Sequence, residues 1–194
     1  MLTELQKAEL TNLHGLFSHT PWGKFMCDFD RWERDTERRL LQLELHGPPT
    51  LSIWDLGCGL PYFVHACQQR GHQAYGVDYG GYLPRHAAEL MGVPFYGMAI
   101  SLDNPFPREM VQPNLVTMYG MNLWENGKRW GWPEYEQYAG LVMERLTPGG
   151  RLVIEPNRGE ETDFVLDAEH WNSVLQNASA TVLDGQALVI QKAT

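Results

Sequence analysis

From residue 51 onward, short apolar runs alternate with stretches whose apolar residues recur at helical spacing. Runs at 51–55, 74–78, 94–100, 115–119 and 151–155 predict strands, because glycine, proline or polar turns bound them. Residues 61–70, 83–91 and 133–146 predict helices, with Pro61, Pro84 and Pro133 tolerated in the first turn. A further helix is predicted over 163–177. Gly71 and the Pro148-Gly149-Gly150 step supply stops. Residues 103–113 hold three prolines and predict at most one helical turn. The period changes at the end of the chain, where 180–183 and 187–190 flank Asp184-Gly185-Gln186. Asp-Gly between two β-branched runs predicts a hairpin. The pattern therefore predicts an α/β fold. Its core is a doubly wound, mostly parallel seven-stranded sheet with an antiparallel terminal hairpin.

The first 48 residues have a different texture and predict two helices. The first, over 2–17, places Leu2, Leu5, Leu13, Leu16 and Phe17 near one face. The second, over 30–45, carries Trp32, Leu40, Leu41 and Leu43 among charges. His19-Thr20-Pro21-Trp22-Gly23 separates them, and Gly47-Pro48-Pro49 ends the second. The chain divides into a helical N-terminal segment, 1–48, and a core, 49–194, within one domain.

Composition narrows the function. The 194 residues carry 15 basic and 24 acidic side chains, a formal charge of −9. That balance argues against a protein that holds nucleic acid through its phosphates. No apolar stretch approaches the roughly 20 residues that span a bilayer. The N-terminus lacks the pattern of a secretory signal. Cys27, Cys58 and Cys67 form no CxxC pair, so they read as reduced thiols in a cytoplasmic protein, without zinc.

The chemistry concentrates at Trp54-Asp55-Leu56-Gly57-Cys58-Gly59-Leu60-Pro61. A glycine-rich turn between the first strand and helix lets a ligand approach the backbone, and the helix start offers N–H groups. Asp78 closes the second strand 19 residues after Gly59, where a carboxylate accepts hydrogen bonds from ribose hydroxyls. A dinucleotide oxidoreductase wants GxGxxG, but the last glycine is Tyr62 here. Asp55, just before the glycines, repels a pyrophosphate and suits an ammonium or sulfonium. The site favours a nucleoside bearing positive charge.

These segments resemble the class I S-adenosylmethionine-dependent methyltransferases. Asp55-Leu56-Gly57-Cys58-Gly59 is similar to that family's first motif, DxGxGxG. Asp78 matches the acidic residue ending its second strand, Leu115 to Tyr119 its fourth strand, and Leu146 to Glu155 its LxPGGxLxxx step. The resemblance runs from about Leu51 to the C-terminus. It implies that S-adenosylmethionine is the cofactor and S-adenosylhomocysteine the product. It implies that the Asp55–Gly59 turn cradles the methionine part and that Asp78, with Tyr79 beside it, holds the ribose. Met98 and Ala99 would line the adenine, and Tyr119 and Gly120 would face the sulfonium and methyl. Residues before the first strand would form a lid over the cofactor, with His14, His19, Trp22, Phe25 and Met26 as contributors. Three departures stand out. Pro61 replaces the third glycine, Met98 replaces the usual acidic adenine residue, and the helix between strands three and four is nearly missing.

Other chemistries are tested by their residues. The segment after the fourth strand, Tyr119-Gly120-Met121-Asn122, is not the Asn/Asp-Pro-Pro-Tyr of amino-methylating DNA enzymes. It also lacks the carboxylates that hold magnesium in catechol-type enzymes. Asp103 and Glu155 are conceivable ligands, though solvated or structural roles suit them better. Three tryptophans, Trp124, Trp130 and Trp132, cluster before the next helix. They are read as acceptor-pocket walls, with Trp22 and Asn122, or as anchors of a long loop. Lys128 and Arg129 could meet an anionic acceptor or simply face solvent. If the acceptor is a hydroxyl, a base is needed, and the candidates are Tyr119, His14, His19 and Glu155. The expectation is metal-independent methyl transfer to a small or medium-sized acceptor. A cofactor-binding but catalytically silent partner is the alternative, and a nicotinamide-dependent oxidoreductase fits less well.

Overall fold

The computed structural model of the chain describes residues 1–20, 23–79, 81–121, 123–125, 127–157 and 163–194. Nine strands and six α-helices follow in the order α1 (Glu4–Phe17), α2 (Phe29–Gln42), β1 (Ser52–Leu56), α3 (Tyr62–Gln69), β2 (Gln73–Asp78), α4 (Tyr82–Met91), β3 (Phe95–Gly97), β4 (Leu115–Met121), β5 (Trp124–Glu125), β6 (Lys128–Arg129), α5 (Trp132–Arg145), β7 (Arg151–Pro156), α6 (Ala168–Val174), β8 (Ala178–Leu183) and β9 (Ala187–Lys192) among the described residues.

Seven strands form one sheet in the order β3-β2-β1-β4-β7-β9-β8. The pairs β3–β2, β2–β1, β1–β4 and β4–β7 are parallel, whereas β7–β9 and β9–β8 are antiparallel. The predicted fold class is therefore the observed one. Two details differ. The third strand keeps only Phe95–Gly97 of the predicted 94–100, because its partner β2 ends at Asp78, opposite Gly97. A two-stranded ribbon, β5 with β6, was not legible in the pattern.

Strand order reverses between β1 and β4. In such sheets the crevice beyond the carboxyl ends of the strands at that point takes ligands. Side chains alternate between faces, so each face has its own core. Ile53, Leu115 and Val153 meet α1 to α4 on one side, while Trp54, Val116, Met118, Leu152 and Ile154 meet α5 and α6 on the other.

The N-terminal helices belong to the first core. Leu10, Met26, Leu40 and Leu45 are fully buried there. Thr3 caps α1 through a reciprocal box with Gln6, and Asp28 caps α2 by accepting from the Arg31 N–H. The predicted apolar face of α1 is corrected in part. Leu5 and Leu16 are 69% and 68% exposed, and Leu10 carries the burial instead. Leu41 also faces solvent.

Candidate functional site

At the carboxyl end of β1 the chain turns through Gly57 (φ +75°) and Gly59 (φ +55°) before entering α3. Both sit in the left-handed region that side chains disfavour, which is what the glycines are for. The Gly57 and Cys58 N–H groups donate to Val77 O at 2.7 and 3.0 Å, tying the turn to β2. The Gly59 N–H donates to Asp78 Oδ2 at 2.9 Å. Asp78 is buried and ends β2, so the carboxylate and the turn that the sequence pairs at 19 residues do meet. Cys58 turns its sulfur inward. A Cβ built on Gly76 would lie 2.9 Å from Cys58 Sγ, so Gly76 makes room for the thiol. Burial pushes the Cys58 thiol well above its usual range, which leaves it a poor nucleophile.

Tyr79 is exposed after β2. Met98 is half-buried and Ala99 exposed after β3, and the Met98 N–H donates to Asp78 O at 2.8 Å. These residues border the Asp78 end of the turn.

The face toward α1–α4 becomes polar at the strand ends. Asp55 on β1, Thr117 and Tyr119 on β4 and Glu155 on β7 occupy successive register positions. Thr117 Oγ1 donates to Asp55 Oδ1 at 2.7 Å. Burial raises the Asp55 carboxyl to about 7, against the lowering effects of the Thr117 hydrogen bond and Arg39. Burial likewise pushes the Tyr119 phenol well up, so it stays neutral. Tyr119 Oη is buried and has no hydrogen-bond partner among the described residues.

The α2 helix closes over this stripe. Arg39 Nε and Nη2 reach the two Glu155 oxygens at 3.3 and 3.1 Å, and Arg38 Nη2 reaches both at 3.1 and 3.0 Å. Burial alone would raise the Glu155 carboxyl. The Arg39 charge and the arginine hydrogen bonds outweigh it and hold the group below its ordinary value. The Arg39 guanidinium also lies 3.9 Å above the Tyr119 ring centre, while Phe63 meets that ring edge-on at 5.0 Å. Arg38 and Arg39 were missed in the sequence, where they read as part of a charged helix. The available signal was Glu155 itself, a carboxylate at an inward position of a buried strand.

Several expected residues sit elsewhere. Trp130 is only 2% exposed and packs against Tyr135 and Tyr138 within the α5 core, so it is an anchor and forms no pocket wall. Trp132 meets the His170 ring at 3.8 Å, tilted by 36°, and Trp171 edge-on, again against the α6 side. Large aromatic surfaces gain most by burial, and here the core took them. Glu155, clamped and acidic, is a poor base, and neutral Tyr119 is no better. His14 is half-buried on α1, and His19 is exposed beyond its end. Gly120 is exposed at φ +63°, where a Cβ would meet Asn157 Oδ1 at 3.0 Å. Trp22, Asn122 and the side chain of Trp124 lie outside what the structure describes. No group of three or more histidine, cysteine, aspartate or glutamate side chains that could hold a metal occurs among the described residues. No helix among them is long and apolar enough to cross a membrane.

No protein-family model and no curated protein matches the chain. Solved structures do. A TehB-like S-adenosylmethionine-dependent methyltransferase from Corynebacterium glutamicum superposes with a TM-score of 0.54 at 18% identity, covering 86% of this chain and 96% of that one. The fold is that of the class I methyltransferases. The N-methyltransferase NodS from Bradyrhizobium japonicum, solved with S-adenosylhomocysteine, gives 0.55 at 12% identity over 97% of this chain and 99% of that one. The Thermus thermophilus 16S rRNA methyltransferase RsmC, solved with AdoMet and guanosine, gives 0.53 at 13% identity. There the match covers 80% of this chain and 42% of that one. One of these proteins is named for an rRNA acceptor and the other two for none, so the likeness leaves the acceptor of this chain open.

Proposed function

We propose that this chain transfers a methyl group from S-adenosylmethionine to a small or medium-sized acceptor, without a metal. One observation carries the reading: the positive-φ glycine turn and the buried Asp78 carboxylate meet at the strand-order reversal of this fold. The residues present suit the cofactor. Asp78 would hold the ribose hydroxyls, and the Gly57–Gly59 turn would cradle the methionine part. Asp55 would face its ammonium, and Met98 with Ala99 would flank the adenine. The cofactor, when bound, supplies a methyl already activated by a sulfonium, so no Lewis acid is required.

The protein's part is alignment and exclusion of water. For an in-line displacement at the methyl that the cofactor would supply, the chain's contribution would be to align the acceptor, and alignment of this kind is worth about 7–11 kcal/mol. Glu155 is locked by two arginines and Tyr119 is held neutral, so neither takes a proton readily. This favours an acceptor whose attacking atom needs no strong base. The N-terminal helices form the wall over the β4 and β7 ends and serve as the lid. Calorimetric titration with S-adenosylhomocysteine, S-adenosylmethionine and NAD tests the reading. Micromolar binding of the first two with none of NAD is expected, and binding of NAD alone would overturn it. Adenosylhomocysteine binding without transfer to any of a broad acceptor panel would favour the silent partner instead.

A further inference from the structure

Arg38 and Arg39 bring two positive charges to the β7 end, and Glu155 returns one negative charge to them. The cluster is left one charge positive. Asp184 offsets little of this, because it is exposed and takes its hydrogen bond from Gln42 Nε2, not from a guanidinium. Gln42 in turn accepts from Arg38 Nη1 at 2.8 Å. Asp55, two strands away, is held back from ionising by its burial.

Two polar groups in this cluster are buried without a hydrogen-bond partner among the described residues: Arg38 Nε and Tyr119 Oη. Both can donate. A buried donor left without a partner is costly, and more so beside a charge. Surplus positive charge together with two idle donors fits one kind of ligand group, an oxyanion. The position says which ligand carries it. The glycine turn and Asp78 lie at the ends of β1 and β2, whereas Glu155 lies on β7, beyond β4. Strands lie about 4.8 Å apart, so Glu155 and the guanidinium ends on it stand roughly 10 Å across the sheet from β1, while Arg39 also reaches over the Tyr119 ring on β4, between that cluster and the cradle. We infer that Arg38, Arg39 and Tyr119 form an oxyanion site for the acceptor, which carries a carboxylate or phosphate group. Assignment to the acceptor rests on the methyltransferase reading; the oxyanion site itself does not.

The test measures unfolding midpoints in inorganic phosphate and in acetate, each against sodium chloride at equal ionic strength, with and without S-adenosylhomocysteine. Wild-type protein should gain stability in at least one anion, and the larger response distinguishes phosphate from carboxylate. Arg38→Gln should lower the apparent anion affinity about tenfold through loss of a charge-assisted contact. Glu155→Gln should bind the anion more tightly than wild type, because it frees both guanidiniums; a purely structural clamp would gain nothing. General salt effects on burial act alike on every variant and cancel in the comparison. Equal anion responses in wild type and Arg38→Gln overturn the site, and that comparison decides alone if Glu155→Gln does not fold. Loss of the anion response once adenosylhomocysteine is bound also overturns the acceptor assignment, since the oxyanion would then belong to the cofactor. If adenosylhomocysteine has no effect while the anion response persists, the methyltransferase reading fails and the oxyanion site stands.

Discussion

Asp55→Asn isolates a carboxyl that burial displaces into the neutral range. Asp55 is 3% exposed, and its carboxyl rises from an ordinary 3.8 to about 7. Because the folded value is raised, the favourable contribution is fully present below pH 3.8. It is lost as pH climbs toward 7 and gone above it. Each unit is worth 1.36 kcal/mol, so the whole shift corresponds to about 4 kcal/mol as an upper bound. Asparagine keeps an oxygen to accept from Thr117 Oγ1 but cannot ionise. Urea unfolding of both proteins between pH 5 and 8 isolates the effect, since every other titration is common to the pair. Glu155 contributes a constant term in that window: its folded value is depressed, so its stabilisation is lost only at lower pH. The variant should gain on wild type by about 2.6 kcal/mol from pH 5 to pH 8, about 2.3 kcal/mol of it below pH 7. At a slope of 1–3 kcal/mol per molar urea, that moves the midpoint difference by about 1–3 M. A stability difference independent of pH would show that Asp55 is already ionised in the folded chain, and the argument from burial would be wrong.

Asp78→Ala should weaken adenosylhomocysteine binding at least tenfold by calorimetry, since it removes charge-assisted hydrogen bonds and the partner of the Gly59 N–H. Gly76→Ala should destabilise the chain by about 1–3 kcal/mol through the clash with Cys58 Sγ, and Cys58→Ala in the same chain should restore most of it; no rescue in chemical denaturation would refute the packing argument. Trp130→Ala should cost about 3–5 kcal/mol in unfolding free energy, whereas a tryptophan lining an open pocket would cost far less.

The sheet was legible because its signal is local. Each buried strand is a short apolar run, and Asp184-Gly185 marks the final hairpin without reference to anything else. The glycine turn and Asp78 were legible for the same reason: their spacing is fixed by one strand–helix–strand unit. The arginine–carboxylate cluster was not. Arg38 and Glu155 lie 117 residues apart, and nothing within either neighbourhood names the other. The tryptophans misled because a large aromatic side chain serves a pocket or a core equally well, and only packing decides between them. Burial of Leu10 in place of Leu5 and Leu16 is a smaller case, since it depends on where α4 lies. His72 shows the same limit. It accepts from the Leu51 N–H and bonds Leu45 O, fastening the entrance to β1, yet in the sequence it is one histidine among seven.

The Arg38–Glu155 tie also has a meaning in time. During synthesis Arg38 and Arg39 are made well before the carboxylate that clamps them. The strand that anchors them is completed more than a hundred residues later, which at 5–20 residues per second is about 6–23 s. For that interval α1 and α2 can already pack on α3 and α4, but the two guanidiniums have no Glu155 carboxylate between them. The N-terminal helices are therefore fastened last at their arginine end, when β7 is made.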